Sequence, residues 1–296
     1  MRMLADCLAC LAVVRLRDVQ KLFKDESSRM EVMRRVLGMI YELAVVRGIE
    51  SSPRVATAIF RWLKSVSGVE DPYRDEKRLA NERALQMFEK VREWVMEGGR
   101  RERIAKALTI AALGNALDLG VAVYTPPSVE EIISRASTTP LLGVEEAIDA
   151  VERARRVLVV MDNAGEAVFD RALGEVLQSM GKEVIAVVKG GAFQNDVTRW
   201  EIDECGLRDS FSDVIDSGTD AASIFLEEVS PKLREALEWS DLVVSKGMAN
   251  YEYISDVIHE IRKPVLYLLM AKCRPIAYSL GVEQGSIVAK LEKALS

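Results

Sequence analysis

The sequence predicts a doubly wound α/β fold with a mostly parallel sheet, preceded by a helical N-terminal domain. In about the first 120 residues, apolar residues recur at intervals of three and four, which is typical of helices. From residue 157 onward, short and wholly apolar segments alternate with amphipathic ones, as expected for parallel strands buried on both faces. We therefore predict a helical domain over residues 1–125 and an α/β domain over residues 126–296.

Helices are the only elements predicted before the sheet, because no alternating β-branched segment occurs there. The clearest ones cover residues 76–96, 101–117, 128–135 and 144–154. The third of them has a sequence signature at its start, because Ser128 and Glu131 have the spacing of a capping box.

Five apolar segments are the predicted strands of the sheet, and amphipathic segments between them are the predicted helices. The strands are residues 157–161, 184–188, 213–215, 242–244 and 265–269. The helices are residues 167–180, 222–226, 231–239 and 252–261. This strand–helix alternation is the pattern of a doubly wound sheet.

The composition excludes several classes of function. The chain has 296 residues, and 40 Lys and Arg face 46 Asp and Glu, so a nucleic-acid scaffold is not expected. The single histidine, His259, excludes metal sites that need two or three histidines in one chain. Four cysteines, no secretory signal and no membrane-length apolar segment lead us to expect a cytoplasmic protein without a membrane partner.

Polar side chains and glycines follow the predicted strands. In an open parallel sheet, ligands bind at the carboxyl ends of the strands, where these residues should meet. They include Asp162, Asn163 and Glu166 after the first strand, Lys189, Gly190, Asn195 and Asp196 after the second, Lys246 and Asn250 after the fourth, and Lys272 after the last.

The chemistry of this set favours phosphoryl transfer with a divalent cation. Carboxylate and amide oxygens coordinate hard cations, whereas lysine and exposed backbone N–H groups bind phosphate oxygens. Together they suit metal-assisted hydrolysis of a phosphate ester. Taken singly, each motif has a simpler interpretation, because Asp, Asn and Gly are common in turns and helix caps.

Six short motifs, in order along the chain, resemble those of the damage-control phosphatase family, also called domain of unknown function 89. They are Cys7-x-x-Cys10, Gly114-Asn115-x-x-Asp118, Asp162-Asn163-Ala164-Gly165-Glu166, Asn195-Asp196, Lys246-Gly247-x-x-Asn250-Tyr251-Glu252 and Lys272-Cys273-x-Pro275. The cysteine pair and the short C-terminal segment are most similar to the microbial and archaeal branch.

The resemblance implies a metal-dependent phosphatase that acts on small phosphorylated metabolites. It implies Asp162, Asn163 and Asp196 as metal ligands, with Mn²⁺, Ni²⁺, Co²⁺ or Mg²⁺ as candidate ions. It also implies a Rossmann-like α/β domain packed against the helical part. Two alternatives stay open: a regulator that binds metal or a phosphometabolite without catalysis, and a transferase that uses the same edge of the sheet.

The predicted roles divide into catalysis and substrate binding. The catalytic candidates are Asp162, Asp196 and Lys246, with Lys246 as a clamp on the phosphate. The substrate-binding candidates are Asn115, Asp118, Glu166, Gly190, Asn195, Asn250 and Lys272. Glu166 has the alternative role of a helix N-terminal charge, and Asn115 and Asp118 that of a buried hydrogen-bond network. A covalent intermediate on Asp162 or Asp196 is a further possibility.

The three cysteines of the matching motifs have two interpretations. Cys7 and Cys10 are three residues apart and share a helix face, so with Cys273 they are candidates for a thiol pair or a soft-metal site. We favour ordinary structural cysteines, because a tetrahedral site needs a fourth ligand.

Overall fold

The computed structural model describes residues 1–114 and 127–293. The α-helices in this part of the chain are α1 (Ala5–Leu22), α2 (Glu26–Ile40), α3 (Ser52–Ser67), α4 (Arg74–Met96), α5 (Arg100–Gly114), α6 (Val129–Thr138), α7 (Val144–Arg153), α8 (Glu166–Ser179), α9 (Pro231–Trp239), α10 (Met248–Ile261) and α11 (Arg274–Leu280). The strands are β1 (Leu141–Leu142), β2 (Arg156–Val160), β3 (Glu183–Val188), β4 (Asp213–Asp216), β5 (Leu242–Lys246), β6 (Val265–Met270) and β7 (Ile287–Glu292).

The sheet confirms the predicted α/β fold. Its strand order is β1-β7-β6-β5-β2-β3-β4, and every neighbouring pair is parallel except β6 and β7. All five predicted strands are present. The strands β1 and β7 were not predicted, because β1 has two residues and the last three residues of β7 are only half-buried.

Both faces of the sheet are covered by helices. Along β2, Val157 and Val159 belong to a core shared with α4, α5, α7 and α8, whereas Leu158 and Val160 belong to a core shared with α9, α10 and α11. This two-sided burial explains why the strand is apolar at every position rather than at alternate ones.

The N-terminal helices form a third packing unit. The helices α1, α2 and α3 enclose a small core of their own that includes Leu11, Val36 and Ile59, and α2 continues into a π-helical turn at Tyr41–Val46. The helices α4 and α5 pack instead on α8 of the α/β part. The predicted domain boundary at residue 125 lies outside the described residues and stays a prediction.

The predicted helix at residues 222–226 is wrong. The backbone N–H of Ala222 donates to Thr57 Oγ1 at 2.9 Å, and that of Leu226 donates to the Tyr253 hydroxyl at 2.9 Å. These bonds to distant side chains replace the carbonyl partners that a helix would provide. Among the described residues, no helix combines the length and the apolarity needed to cross a bilayer.

Candidate active site

Asp162 and Asp196 meet at the carboxyl ends of β2 and β3, as predicted. Asn163 and Asp196 form an isolated antiparallel bridge between the segments that follow these strands. The N–H of Ala164 donates to the Asn195 carbonyl at 2.9 Å, and the N–H of Val197 donates to the Asp162 carbonyl at 2.9 Å. The backbone therefore fixes the two acidic residues side by side.

Both acidic side chains are buried, and burial is the largest influence on the pKa of each. Burial raises the pKa of Asp162 well above its usual value, and the negative charges of Glu166 and Asp196 raise it further. Burial also raises the pKa of Asp196 to about 6, against the opposing charge of Lys189. The Lys189 ammonium lies 3.4 Å from Asp196 Oδ2, and this buried oxygen has no hydrogen-bond donor.

These features fit a divalent cation held by Asp162, Asn163 and Asp196. A cation would relieve the repulsion between two buried carboxylates and would give Asp196 Oδ2 a closer partner than the Lys189 ammonium at 3.4 Å. Within residues 1–114 and 127–293, no group of three or more His, Cys, Asp or Glu is arranged as a metal site. The predicted ligand set in this part of the chain accordingly consists of two carboxylates and one amide.

Asn163 connects the first carboxylate to the start of α8. Its side-chain Nδ2 donates to Asp162 Oδ2 at 2.8 Å and to Glu166 Oε2 at 3.1 Å. Glu166 is the first residue of α8 and is buried, so it is not a solvated helix charge, and its predicted contact with substrate stays a prediction. The amide thereby fixes the orientation of both carboxylates.

A second, fully buried charge cluster lies behind the first. The Lys246 ammonium donates to Glu166 Oε1 at 2.6 Å and to Asp170 Oδ1 at 2.7 Å, and none of these side chains is more than 1% exposed. Burial lowers the pKa of Lys246, but the charges of Asp170 and Glu166 outweigh it and raise the pKa overall. Burial raises the pKa of Asp170 to about 7, against the charge of Lys246.

The buried position of Lys246 does not favour its predicted role as a clamp on the phosphate. Lys246 already has two carboxylate partners and no exposed surface, so the geometry favours charge balance over direct contact with phosphate. The sequence interpretation did not include Asp170. Its spacing of four residues from Glu166 places both on one face of α8, and this was the available signal.

Gly247 brings the backbone of the β5–α10 connection against Asp162. Its φ of 78° and ψ of 173° lie in a region that is essentially restricted to glycine. A Cβ at this position would lie 2.0 Å from Asp162 Oδ2. Only glycine therefore permits Asp162 and the start of α10 to approach so closely.

Asn250 and Gly190 have structural contacts in place of open surface. Asn250 is fully buried, donates to the carbonyls of Met161 and Lys246, and accepts from Ser223 Oγ at 2.8 Å. A Cβ on Gly190 would lie 2.8 Å from the backbone of Gly218, so this glycine permits two loops to pack. Their predicted contacts with substrate stay predictions.

Asn195 and Lys272 are the exposed members of the predicted set. The positive charge of Lys272 lowers the pKa of Asp162, which places the ammonium within electrostatic range of the acidic pair. Asn115 and Asp118 lie outside the described residues. The helical part also contributes Asn81, whose Oδ1 accepts the N–H of Gly165 at 2.7 Å, and sequence reasoning missed this contact.

The three cysteines of the matching motifs form no disulfide, and each thiol lies within electrostatic range of another of the three. Cys7 is buried, Cys10 is exposed and Cys273 is half-buried. Burial raises the pKa of each thiol, and the negative charge of Glu252 acts in the same direction on all three. A raised pKa disfavours the thiolate form that binds a soft metal, and the structural interpretation of these cysteines stays a prediction.

Comparison with known proteins identifies the family. A family model for the damage-control phosphatase ARMT1-like domain matches residues 3–288. The chain belongs to this family. It is similar to the uncharacterized protein MJ0202 of Methanocaldococcus jannaschii, with 32% identity over 96% of this chain and 93% of the relative. It is also similar to a damage-control phosphatase of Archaeoglobus fulgidus, with 33% identity over 80% of this chain and 81% of the relative.

A solved structure supports both the fold and the family. The crystal structure of a DUF89 family protein, PH1575 of Pyrococcus horikoshii, has a TM-score of 0.79 and 26% identity, and the match covers 99% of this chain and 100% of that one. The same relative is named a damage-control phosphatase. The predicted resemblance is thus confirmed, and membership of the ARMT1-like family supports a phosphatase of the metabolite-repair type.

Proposed function

We propose that this chain is a divalent-metal-dependent phosphatase that hydrolyses small phosphorylated metabolites. The observation that carries the proposal is the pair of buried carboxylates, Asp162 and Asp196, whose pKa values are both raised and which lie side by side across the bridge. Two such groups are stable together when a cation compensates them.

The ligands of that cation are Asp162, Asn163 and Asp196, and the candidate ions are Mn²⁺, Ni²⁺, Co²⁺ and Mg²⁺. When bound, such an ion supplies positive charge to phosphoryl oxygens and makes a nearby water more acidic. Asn163 already orients Asp162 through its hydrogen bond, so the ligand set is held in place before any cation arrives.

The surrounding residues position the ligands and the substrate. Lys246 holds Glu166, and Glu166 in turn accepts from Asn163, so the buried charge cluster supports the ligand set from behind. Lys272 and Asn195 are exposed beside the acidic pair, and we assign them to the phosphate group of the substrate. A lysine at this place offsets the negative charge that develops on the phosphoryl oxygens during transfer.

The first experiment measures hydrolysis of an aryl phosphate by chelator-treated protein, with and without each candidate ion. The matched pair of variants is Asp196→Asn and Asp203→Asn. Asp203 is a control because its side chain is 83% exposed and pairs with Arg208 at the surface. We expect ion-dependent turnover in the wild type and in Asp203→Asn, and a loss of at least about a hundredfold in Asp196→Asn.

Other outcomes separate the alternative functions. Ion binding by calorimetry without hydrolysis of any of a panel of phosphorylated metabolites would indicate a regulator. Turnover that needs an acceptor other than water would indicate a transferase. Turnover in Asp196→Asn at the wild-type rate would overturn the assignment of Asp196.

A further inference from the structure

The turn that carries Asp196 has a strained backbone. Gln194 has a φ of 45°, and among the described residues Arg262 is the other non-glycine residue with a positive φ. A positive φ is uncommon for residues other than Gly, Asn and Asp. It persists where surrounding contacts enforce it. The N–H of Asp196 donates to the carbonyl of Phe193 at 3.1 Å and closes the turn.

A buried acid on α1 makes the contact that holds Gln194. Gln194 Nε2 donates to Asp18 Oδ1 at 3.2 Å, and the Tyr73 hydroxyl donates to the same oxygen. Asp18 Oδ2 pairs with Arg15 Nε at 2.8 Å, and both of these side chains are at most 2% exposed. The buried acid therefore pairs with Arg15 through one oxygen and, through the other, accepts from a residue two positions before Asp196.

Other contacts fix the same turn to the helical part. The Phe193 ring packs edge-on against Phe60 of α3, with ring centroids 5.2 Å apart. Lys64, also on α3, donates to the carbonyl of Ala192 at 2.7 Å. Each residue from 192 to 194 therefore has a partner on α1 or α3, and the next two residues in the chain are Asn195 and Asp196.

We propose that Gln194 and Asp18 are positioning residues for Asp196: their hydrogen bond holds the strained turn that sets the Asp196 carboxylate opposite Asp162. This inference rests on the proposed function, in which Asp196 binds the cation. It gives α1 a role at the site although α1 contributes no residue to the acidic pair. Groups that orient a metal ligand act on its affinity for the ion.

The test compares two substitutions that relax the same kind of backbone strain. Gln194→Gly removes the contact with Asp18, whereas Arg262→Gly changes an exposed residue at the end of α10. A third variant, Gln194→Glu, keeps the side-chain size but places a negative charge against Asp18. The measurements are the Kd for Mn²⁺ by calorimetry, kcat and KM for an aryl phosphate at limiting and saturating Mn²⁺, and the unfolding midpoint.

We expect both Gln194 variants to bind Mn²⁺ about tenfold more weakly than the wild type, with Arg262→Gly unchanged. Activity at limiting Mn²⁺ should fall and should recover when Mn²⁺ is saturating, with KM unaltered. A purely structural role would lower the unfolding midpoint without changing the Kd, and that result overturns the inference. If the wild type bound none of Mn²⁺, Ni²⁺, Co²⁺ and Mg²⁺, the proposed function would be refuted, and the inference with it.

Discussion

Replacing Lys246 by Met tests whether the buried charge cluster is needed for stability. The substitution keeps much of the side-chain length and removes one positive charge. It leaves Glu166 and Asp170 without their shared donor, although both are at most 1% exposed. The variant therefore contains two buried carboxylates whose charges are no longer balanced by Lys246.

The expected decrease in the free energy of unfolding can be taken from the effect of breaking other buried ion pairs. Removing one partner of a buried pair lowers the free energy of unfolding by about 3–5 kcal/mol, because the remaining charge is left uncompensated in the low-dielectric interior. Two carboxylates share Lys246, so we expect the upper end of that range. Protonation limits the cost, since the pKa of Asp170 is about 7 even beside the ammonium and should rise when the ammonium is removed. The decrease in the free energy of unfolding should therefore be smaller at pH 5 than at pH 8.

The assay is denaturant unfolding followed by circular dichroism at these two pH values. The matched control is Lys90→Met, because Lys90 pairs with Glu130 at 3.0 Å at the surface with side chains 65% and 69% exposed. We expect the control to cost at most about 1 kcal/mol at either pH. The double variant Lys246→Met/Asp170→Asn should cost less than the sum of the single variants. Equal costs for the two lysine variants, or additive costs in the double variant, would refute the reasoning.

Three further changes test other parts of the site and Glu252 beside the cysteines. Gly247→Ala should abolish Mn²⁺ binding because its Cβ would displace the Asp162 carboxylate, whereas Gly281→Ala, with a φ of 70° and open space around it, should bind Mn²⁺ normally in calorimetry. Burial raises the pKa of Glu252 from 4.5 to about 7, so its contribution to stability is present below pH 4.5 and is lost as the pH rises through 7. Glu252→Gln should therefore gain stability relative to the wild type over this interval, by at most about 3 kcal/mol in pH-dependent unfolding. Lys272→Gln should raise KM for an aryl phosphate about tenfold and leave Mn²⁺ affinity unchanged, and an unaltered KM would contradict its assignment to the phosphate.

The central strands of the sheet could be predicted because the pattern that identifies them lies within each short segment of sequence. A strand buried on both faces must be apolar at each position, so residues 157–161 or 265–269 are recognisable without knowledge of their neighbours. The strand β7 has no such requirement over its last three residues, which are half-buried. The residues 222–226 have a helix-like composition, but the donors of Ala222 and Leu226 are taken by Thr57 and Tyr253, which are far away in sequence.

The site, too, has features that follow from local sequence and features that depend on residues far apart in the chain. The positions of Asp162 and Asp196 follow from strand ends and the rules of parallel sheets, and the structure confirms that the two residues meet. The contacts of Asp18 with Gln194 and of Asn81 with Gly165 join residues 176 and 84 positions apart. No spacing rule connects such pairs, because they depend on how the helices pack on the sheet.

The two charge clusters differ in the source of their balancing charge. Glu166 and Asp170 have an internal cation, Lys246, which is fully buried with them. Asp162 and Asp196 have lysines nearby, but Lys189 reaches Asp196 only at 3.4 Å and donates to the carbonyl of Ala221 at 2.8 Å. A buried carboxylate needed only for the fold would gain from a pairing as close as that of Asp170, since an uncompensated buried charge is costly. The longer pairing of Asp196 with Lys189 therefore supports assigning the inner cluster to structure, and it agrees with the proposal that Asp196 binds a cation from solution.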